Sequence, residues 1–196
     1  MSAKKRARTQ EVLDAAAEVF SAKGYHGAST KDIADRLGLR QGSLYYYFPS
    51  KEQALDVVCQ AGVQLHVDGL EILMAQPGSA LSKFKALIAN HVEPIRDRRD
   101  YVRVFLRDRF DLPGPERRKI GAVARRYEDM IETLLRQGIA EGAFRPDLDC
   151  RMTALAIIAM GNGVALWYGK EPGVTMEDVI EHYSRLLLAG IRSAKA

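Results

Sequence analysis

Hydrophobic residues recur along this chain at the spacing of amphipathic helices, and no segment shows the strict alternation of a half-buried strand. In the first strong segment, Leu13, Ala16, Ala17 and Phe20 fall on one side of a helix, with Lys and Glu on the other. Glycine, proline and capping residues separate one pattern from the next. The pattern predicts an all-α protein of about nine helices, at residues 9–25, 30–37, 41–48, 51–73, 79–92, 101–110, 115–142, 149–168 and 175–191.

Two capping signals mark the predicted helix starts in the N-terminal quarter. Ser29 or Thr30 can cap the second helix, and Asp32 then lies near the positive end of its dipole. Ser50 and Gln53 form an S-x-x-Q capping box, which predicts that a fourth helix begins at the next residue. The two signals therefore enclose a pair of short helices between the first helix and a long fourth one.

This pair of short helices has the pattern of a DNA-binding motif. Gly38 supplies the left-handed conformation that ends the first, and Leu44 and Phe48 give the second its inward face. The remaining side chains of the second helix are mostly expected outside: Gln41, Ser43, Tyr45, Tyr46 and Tyr47. A short helix that exposes hydrogen-bonding groups beside a glycine turn is typical of a helix-turn-helix. The alternative is that the tyrosines pack against the first helix; we expect Tyr46 to point outwards most and Tyr45 least.

The charge distribution agrees with a DNA-binding head. Residues 1–51 contain nine Lys and Arg against five Asp and Glu, whereas the rest of the chain contains twenty of each. The whole formal net charge of +4 therefore lies in the segment that carries the motif. A basic arm of Lys4, Lys5, Arg6 and Arg8 contributes to it. A solvated arm without a role is the alternative for the first three, but it does not account for the remaining excess.

Residues 9 to about 55 resemble the TetR family of one-component bacterial repressors. The matching run is TQEVLDAAAEVFSAKGYHGASTKDIADRLGLRQGSLYYYFPSKEQALDVV, which contains T-K-D-I-A, L-G-L, G-S-L-Y-Y-Y-F and Ser-Lys-Glu in that order. The resemblance implies a three-helix helix-turn-helix DNA-binding domain at residues 1–51 and a ligand-binding and dimerisation domain at residues 52–196. It also implies a homodimer that binds double-stranded operator DNA and represses transcription until an effector binds.

The resemblance further implies DNA contacts by position. Base-edge contacts are implied for Gln41, Gly42, Ser43 and Tyr46, phosphate contacts for Thr30, Tyr45, Tyr47 and Lys51, and a contact to bases or backbone for Lys31. The exposed face of the second short helix has no Arg or Asn, the side chains that most often read guanine and adenine. Gln41 is the one side chain there suited to adenine, and Arg40 precedes the helix. We therefore expect DNA shape and backbone contacts to carry a sizeable share of recognition.

The last two long helices have more apolar residues than are required to pack one helix face against a core. Residues 153–168 are apolar nearly all round, and the final helix has a broad apolar stripe. By resemblance to the family, these helices form a dimer interface that includes Leu155, Ile158, Val179, Ile180, Tyr183, Leu186 and Leu187. Packing inside the core of one subunit is the alternative. A two-fold dimer would place its recognition helices about 34–36 Å apart and would bind a palindromic operator.

A cationic region beside apolar residues suggests an effector pocket. Residues 96–126 contain eleven Lys and Arg against five Asp and Glu. The candidate pocket residues are Phe84, Leu87, Ile88, His91, Arg103, Phe105, Arg107, Met130, Leu134 and Trp167. A cationic rim over an apolar cavity suits an amphipathic anion such as an acyl-CoA, a fatty acid or an aromatic acid. The C-terminal half is also similar to TetR subgroups that regulate fatty-acid and steroid catabolism. The alternative is a solvated face of ion pairs.

Other functional classes find little support in the sequence. The four histidines have no metal-ligand spacing, and no nucleophile elbow, phosphate loop or dinucleotide motif occurs, so we expect no enzyme, metal or cofactor. Two distant cysteines and a polar N-terminus indicate a cytoplasmic protein without a signal peptide. The apolar run at residues 153–168 is too short to span a bilayer, so a buried helix is expected. A DNA-binding architectural protein without a ligand is the remaining alternative.

Overall fold

The computed structural model describes residues 3–193, and it describes side chains from residue 5. The side chain of Lys4, part of the predicted basic arm, lies outside the described residues. Within this range the chain forms ten α-helices: α1 (Ala3–Gly27), α2 (Thr30–Arg36), α3 (Gln41–Leu44), α4 (Lys51–Ala75), α5 (Ala80–Val92), α6 (Pro94–Asp97), α7 (Arg99–Asp108), α8 (Gly114–Ala140), α9 (Cys150–Trp167) and α10 (Met176–Ile191). A 3₁₀ turn at Arg109–Asp111 and one isolated bridge between Phe144 and Arg192 complete the regular structure of the described residues.

The predicted all-α class and the count of about nine helices are confirmed, and most predicted boundaries hold to within two residues. The tenth helix is the single turn α6, because Pro94 interrupts the chain after α5 and then starts a new turn. The second short helix ends earlier than expected. Tyr47 and Phe48 donate their backbone N–H groups to the Leu44 carbonyl as a closing turn, since a residue that precedes Pro49 disfavours the helical conformation.

Helix α1 begins six residues before the predicted start. Its basic residues Lys5, Arg6 and Arg8 occupy its first turns, because Lys, Arg and Ala are strong helix formers. Arg8 pairs with Glu11 at 2.6 Å one turn later. The basic arm is therefore helical rather than extended. The helix is broken near its C-terminal end at Gly24, whose φ of 73° is left-handed, so the predicted stop signal is confirmed.

Helices α2 and α10 each begin with a capping box, in which the third helical residue is an aspartate. Ser29 accepts the Asp32 N–H at 3.2 Å, and the Asp32 carboxylate accepts the Ser29 N–H at 2.8 Å. Thr175 and Asp178 repeat this arrangement at the start of α10. The hydrogen bond from the Lys23 ammonium, followed by the two bonds from Ser29, lowers the pKa of Asp32 to about 2. Both helix starts are thus fixed by their local sequence.

The first compact unit comprises the chain up to Gln64 together with Arg98–Gly121. Its core is formed by α1 to α4 with fully buried side chains that include Phe20, Ile33 and Leu44. Helix α7 packs along α1, and the Tyr101 hydroxyl donates a 2.6 Å hydrogen bond to Asp14. Residues 98–121 thus belong with the helix-turn-helix region structurally. The functional division at residue 51 stays a prediction.

The second compact unit comprises Leu65–Asp97 and the chain from Ala122 onwards. Its core is a continuous apolar cluster contributed by α4, α5, α8, α9 and α10. Phe84 and Phe144 meet edge to face at its centre, with ring centroids 5.9 Å apart. Gly138 allows this packing, because a Cβ there would come within 2.0 Å of the Phe144 ring.

Candidate DNA-binding and effector sites

The recognition segment, Gln41–Tyr47, presents most of its side chains to solvent. Leu44 and Phe48 are buried as predicted, and they hold α3 against the core of the first unit. Gly38 has a φ of 64° in the turn before α3, which confirms the predicted glycine turn. Gln41, Gly42 and Ser43 are exposed around this short helix. The geometry therefore matches a helix-turn-helix that offers its second helix to a groove.

The three tyrosines of the recognition segment differ in exposure. Tyr46 is 71% exposed, which confirms that it points outwards most. The expectation that Tyr45 is the most enclosed is wrong: it is 48% exposed, whereas Tyr47 is half-buried. Tyr47 is enclosed because its ring meets the edge of Tyr46, with centroids 5.2 Å apart, and its hydroxyl lies at Arg8. The ammonium of Lys5 lies 5.6 Å from the Tyr46 ring centroid.

The N-terminal ends of α2 and α3 are joined by a side-chain hydrogen bond. The Gln41 amide donates to the Thr30 hydroxyl oxygen at 2.9 Å. Next to it, Lys31 pairs with Asp35 one turn further along α2, and this hydrogen bond raises the pKa of Lys31. The structure therefore brings three of the predicted DNA-contacting side chains together on one exposed edge.

Lys51 has a structural role that the sequence did not indicate. Its ammonium donates to the carbonyls of Tyr25 at 2.9 Å and Ala28 at 3.0 Å, and lies 4.3 Å from the Tyr25 ring centroid. The Tyr25 hydroxyl in turn donates to Glu52 at 2.9 Å, and burial with this bond raises the pKa of Tyr25 to about 12. Lys51 thus ties the start of α4 to the connection between α1 and α2. One of its three N–H donors remains for the predicted phosphate contact.

The predicted pocket residues divide between the two units. Arg103, Phe105 and Arg107 belong to the first unit, and the others belong to the second. Arg107 is engaged within the first unit, and its role as a pocket residue stays a prediction. Its guanidinium donates to the carbonyls of Phe20 at 2.5 Å and Ser21 at 3.2 Å, and it pairs with Asp108. A cation binds there because the C-terminal part of a helix presents free carbonyls.

Most of the apolar pocket candidates lie in the core of the second unit. Phe84, Leu87 and Leu134 are fully buried, Ile88 is nearly so, and the half-buried Met130 packs against them. These side chains are packed tightly against one another and against the rest of the core. An effector bound at these positions would therefore have to displace core contacts. Their role as pocket lining stays a prediction.

His91, the one titratable candidate in this core, belongs to a buried polar cluster. Its Nδ1 lies 3.0 Å from the Tyr127 hydroxyl, and its ring stacks on His66 with centroids 5.0 Å apart. Asn90 donates to the His66 carbonyl at 3.0 Å. Gly161 makes room, because a Cβ there would lie 1.9 Å from the His91 ring. The sequence indicated His91 as a core or pocket residue but gave no sign of its partners, which come from other helices.

Burial keeps the imidazoles of this cluster neutral. Loss of solvation, with a smaller effect of His66, lowers the pKa of His91 to about 3. Burial likewise lowers the pKa of His66 and raises that of Tyr127. Charged groups are thus disfavoured at this point of the second unit, and hydrogen bonds between neutral groups hold it together.

Trp167 lies apart from the core candidates, in an open cleft of about 400 Å³. The cleft is lined by Trp167 and residues at the start and middle of α10, among them Val174, Val179, His182 and Tyr183. Asp178, Glu181 and Arg185 add charge of both signs. This cleft combines an aromatic wall with polar groups, which is the general composition of a small-molecule site.

Of the predicted dimer residues on α9 and α10, Leu155 and Leu186 are exposed, and the other five are half-buried or buried. Val179 and Ile180 are wrong as dimer-interface residues, because they are 3% and 8% exposed and pack inside the single chain. Ile158, Tyr183 and Leu187 are half-buried against the same core. The exposed large apolar side chains of these helices are Met152, Leu155, Leu166 and Leu186, with Leu166 70% exposed.

Helix α9 is the one described helix that is long and apolar enough to span a bilayer by length and composition. A third of it is buried within the subunit. Its buried face includes Ala154, Ile157, Gly161 and Val164. Its other face therefore presents apolar residues that no other part of the described chain covers.

Comparison with known proteins agrees with both units. Residues 12–58 match the family of bacterial regulatory proteins of the tetR type, and residues 77–191 match the tetracyclin repressor-like C-terminal domain. The HTH-type transcriptional repressor KstR2 of Mycolicibacterium smegmatis is 28% identical over 96% of this chain and 92% of its own length. The structure of the ketosteroid transcriptional regulator KstR2 of Mycobacterium tuberculosis superposes with a TM-score of 0.86 at 28% identity, over 95% of both chains.

A third relative shows the fold alone. The structure of AibR, solved in complex with isovaleryl coenzyme A and operator DNA, has a TM-score of 0.81 at 22% identity and covers 94% of this chain and 98% of its own.

A helix-turn-helix head followed by an all-helical unit defines a DNA-binding transcription regulator. The chain belongs to the TetR family, which the two matching regions show together. This family consists of regulators, so the enzyme alternative is excluded.

Proposed function

We propose that the protein is a homodimeric repressor that binds a palindromic operator and is released from it by a small-molecule effector. The observation that carries the proposal is the edge formed by Thr30, Lys31 and Gln41, together with the exposed Tyr46 of the recognition segment. Hydroxyl, amide and ammonium groups on one edge are the donors that phosphates and base edges accept. The repressor name of the KstR2 relative supports the direction of regulation.

The proposed dimer uses the uncovered face of α9 with the neighbouring face of α10. Met152, Leu155 and Leu166 lie on α9, and Leu186 lies on α10, all of them exposed in the single chain. A soluble chain rarely leaves such side chains uncovered over two long helices. A second copy of the same surface would cover them and would relate two heads by a two-fold axis. That symmetry is the reason to expect a palindromic operator.

The proposed effector is a small amphipathic anion such as an acyl-CoA or a fatty or aromatic acid. The cleft beside Trp167 provides an aromatic wall, with a cation at Arg185 that can hold the anionic part of the effector. AibR, which shares the fold, was solved with isovaleryl coenzyme A and operator DNA. Because such an effector shifts binding only if the DNA-free form holds it more tightly, its affinity must fall when operator is bound.

The setting of this function is the bacterial cytoplasm, at the nucleoid. The architectural alternative, a DNA-binding protein without a ligand, predicts binding without a palindromic site and without any response to small molecules. The two proposals therefore differ in two measurable properties.

Operator binding by purified protein tests the proposal. Fluorescence anisotropy with a selected operator should give one dimer per palindrome, and Tyr46→Ala should weaken binding without changing the helical circular dichroism. Titration of the preformed complex with acyl-CoAs of increasing chain length should release DNA in a saturable way. Equal binding of selected and scrambled duplexes, together with no release by any acyl-CoA, would favour the architectural alternative.

A further inference from the structure

The start of the recognition segment carries a cation that none of the contacts above includes. Arg40 is the N-cap of α3, with extended backbone angles (φ −70°, ψ 140°), and it is exposed. Its guanidinium makes no hydrogen bond or ion pair with any of the residues that the structure describes. Five N–H donors in a planar fork are therefore available at the point where α3 begins.

The neighbouring cations of the head are engaged within the protein. Each has a carboxylate or carbonyl partner: Arg8 with Glu11, Lys23 with Asp32, Lys31 with Asp35, Arg36 with Glu18, and Lys51 with two carbonyls. If one of these cations binds DNA, it must first break a bond within the protein. Arg40 has no such bond with the described residues, so it gives up only its bound water when it binds DNA.

The surroundings of Arg40 leave room for it to reach a base edge. In a helix-turn-helix, the N-terminal residues of the recognition helix contact the bases, and Arg40 directly precedes them. Gly42 has open space where a Cβ would be, and Ser43 is small and exposed, so the next two residues after Gln41 carry no bulky side chain that would block Arg40. Gln41 already donates one N–H to Thr30. Arg40 is thus the long side chain at this edge whose donors are all uncommitted.

We propose that Arg40 determines operator specificity by donating two parallel hydrogen bonds to O6 and N7 of a guanine in each half-site. A guanidinium matches this pair of acceptors, and this pairing is the commonest specific contact in the major groove. The inference rests on the proposed function, since it requires that the recognition segment enters the groove. It supplies the guanine contact that the exposed face of α3 lacks.

Selection of duplexes from a random library tests it with four proteins: wild type, Arg40→Ala, Arg40→Lys and the control Arg36→Ala. The control removes the same charge from an exposed position on α2. The wild type should enrich a palindrome with a fixed G·C pair in each half-site. Arg40→Ala should enrich the same palindrome with that position degenerate, and should bind a half-site containing the G·C pair roughly 5- to 150-fold more weakly. Arg40→Lys should keep only part of the preference, and Arg36→Ala should keep all of it.

Three results would overturn the inference, and they can be told apart. If Arg40→Ala weakens binding equally for all duplexes and lowers the salt dependence by about one phosphate contact, Arg40 binds the backbone. If it changes neither affinity nor motif, Arg40 makes no contact. If the wild type enriches no motif, the proposed function fails together with the inference. Far-ultraviolet circular dichroism of each variant confirms that it is folded, which an exposed position allows.

Discussion

Replacement of His91 by Asn should remove a defined part of the acid sensitivity of this protein. The imidazole is buried, and its pKa is about 3 in the folded protein, against 6.5 for the unperturbed side chain. The folded state therefore resists protonation, whereas the unfolded state accepts a proton as the pH falls below 6.5. The stability that neutral His91 contributes is complete above that pH and is lost progressively between pH 6.5 and about 3.

The magnitude follows from the two pKa values. Between pH 7.5 and 5.0 the unfolded chain gains about one proton at this position and the folded chain gains almost none. With about 1.36 kcal/mol for each pKa unit, the free energy of unfolding should fall by about 2 kcal/mol through His91 alone. His66 stacks on the same ring, and burial lowers its pKa too, so it adds to the effect in the same direction.

Urea unfolding at pH 7.5 and 5.0, at one protein concentration, measures this loss. The wild type should lose about 2 kcal/mol more than His91→Asn between the two pH values. Tyr127→Phe is the matched control, because it removes the hydroxyl 3.0 Å from His91 but keeps the imidazole. It should be less stable at both pH values and should keep the acid sensitivity. The same pH dependence in wild type and His91→Asn would refute the assignment of a buried neutral imidazole.

Three further changes test other parts of the structure. Lys51→Met keeps the aliphatic stem but leaves two carbonyls without their donor, so the free energy of unfolding should fall by about 1–3 kcal/mol in a urea titration; an unchanged midpoint would mean that water replaces the ammonium. Gly161→Ala places a Cβ 1.9 Å from the His91 ring, so thermal unfolding should begin several degrees lower, whereas Gly163→Ala, which meets nothing within 4 Å, should unfold no earlier than the wild type, because alanine is the better helix former. Leu166→Glu places a charge on the uncovered face of α9, so light scattering should report a monomer; a dimer of unchanged stability would place the interface elsewhere.

The local chemistry of the chain predicted the helices and the motif well. Capping residues such as Ser29 and Thr175 use bonds within three residues, and Gly38 needs only its own backbone freedom, so both are readable from sequence. The predicted burial of Leu44 and Phe48 is confirmed, because a single helix face determines it. The apolar spacing predicts a shorter α1 than the structure has, because the basic residues before it are helix formers that carry no apolar pattern.

Errors arose where a side chain depends on a distant partner. The spacing predicts Arg107 as a rim cation but does not reveal its carbonyl partners on α1, which lie 86 and 87 residues away along the chain. Val179 and Ile180 belong to an apolar stripe that is wide enough to pack both against the core of its own chain and against a partner. Periodicity alone does not tell which residues of the stripe face the core. The His66 and Tyr127 partners of His91 come from different helices for the same reason.

The central claim is that the recognition segment of a TetR-type dimer reads a specific operator. Selection of bound sequences by the wild-type protein from a random duplex library, carried out at a low and a near-physiological salt concentration, tests it most directly. The account predicts one palindromic motif at both concentrations, with half-sites about one helical turn apart and with enrichment lost in Tyr46→Ala. Binding that collapses as salt rises and leaves no enriched motif would contradict it, because such binding needs only the charge of the head.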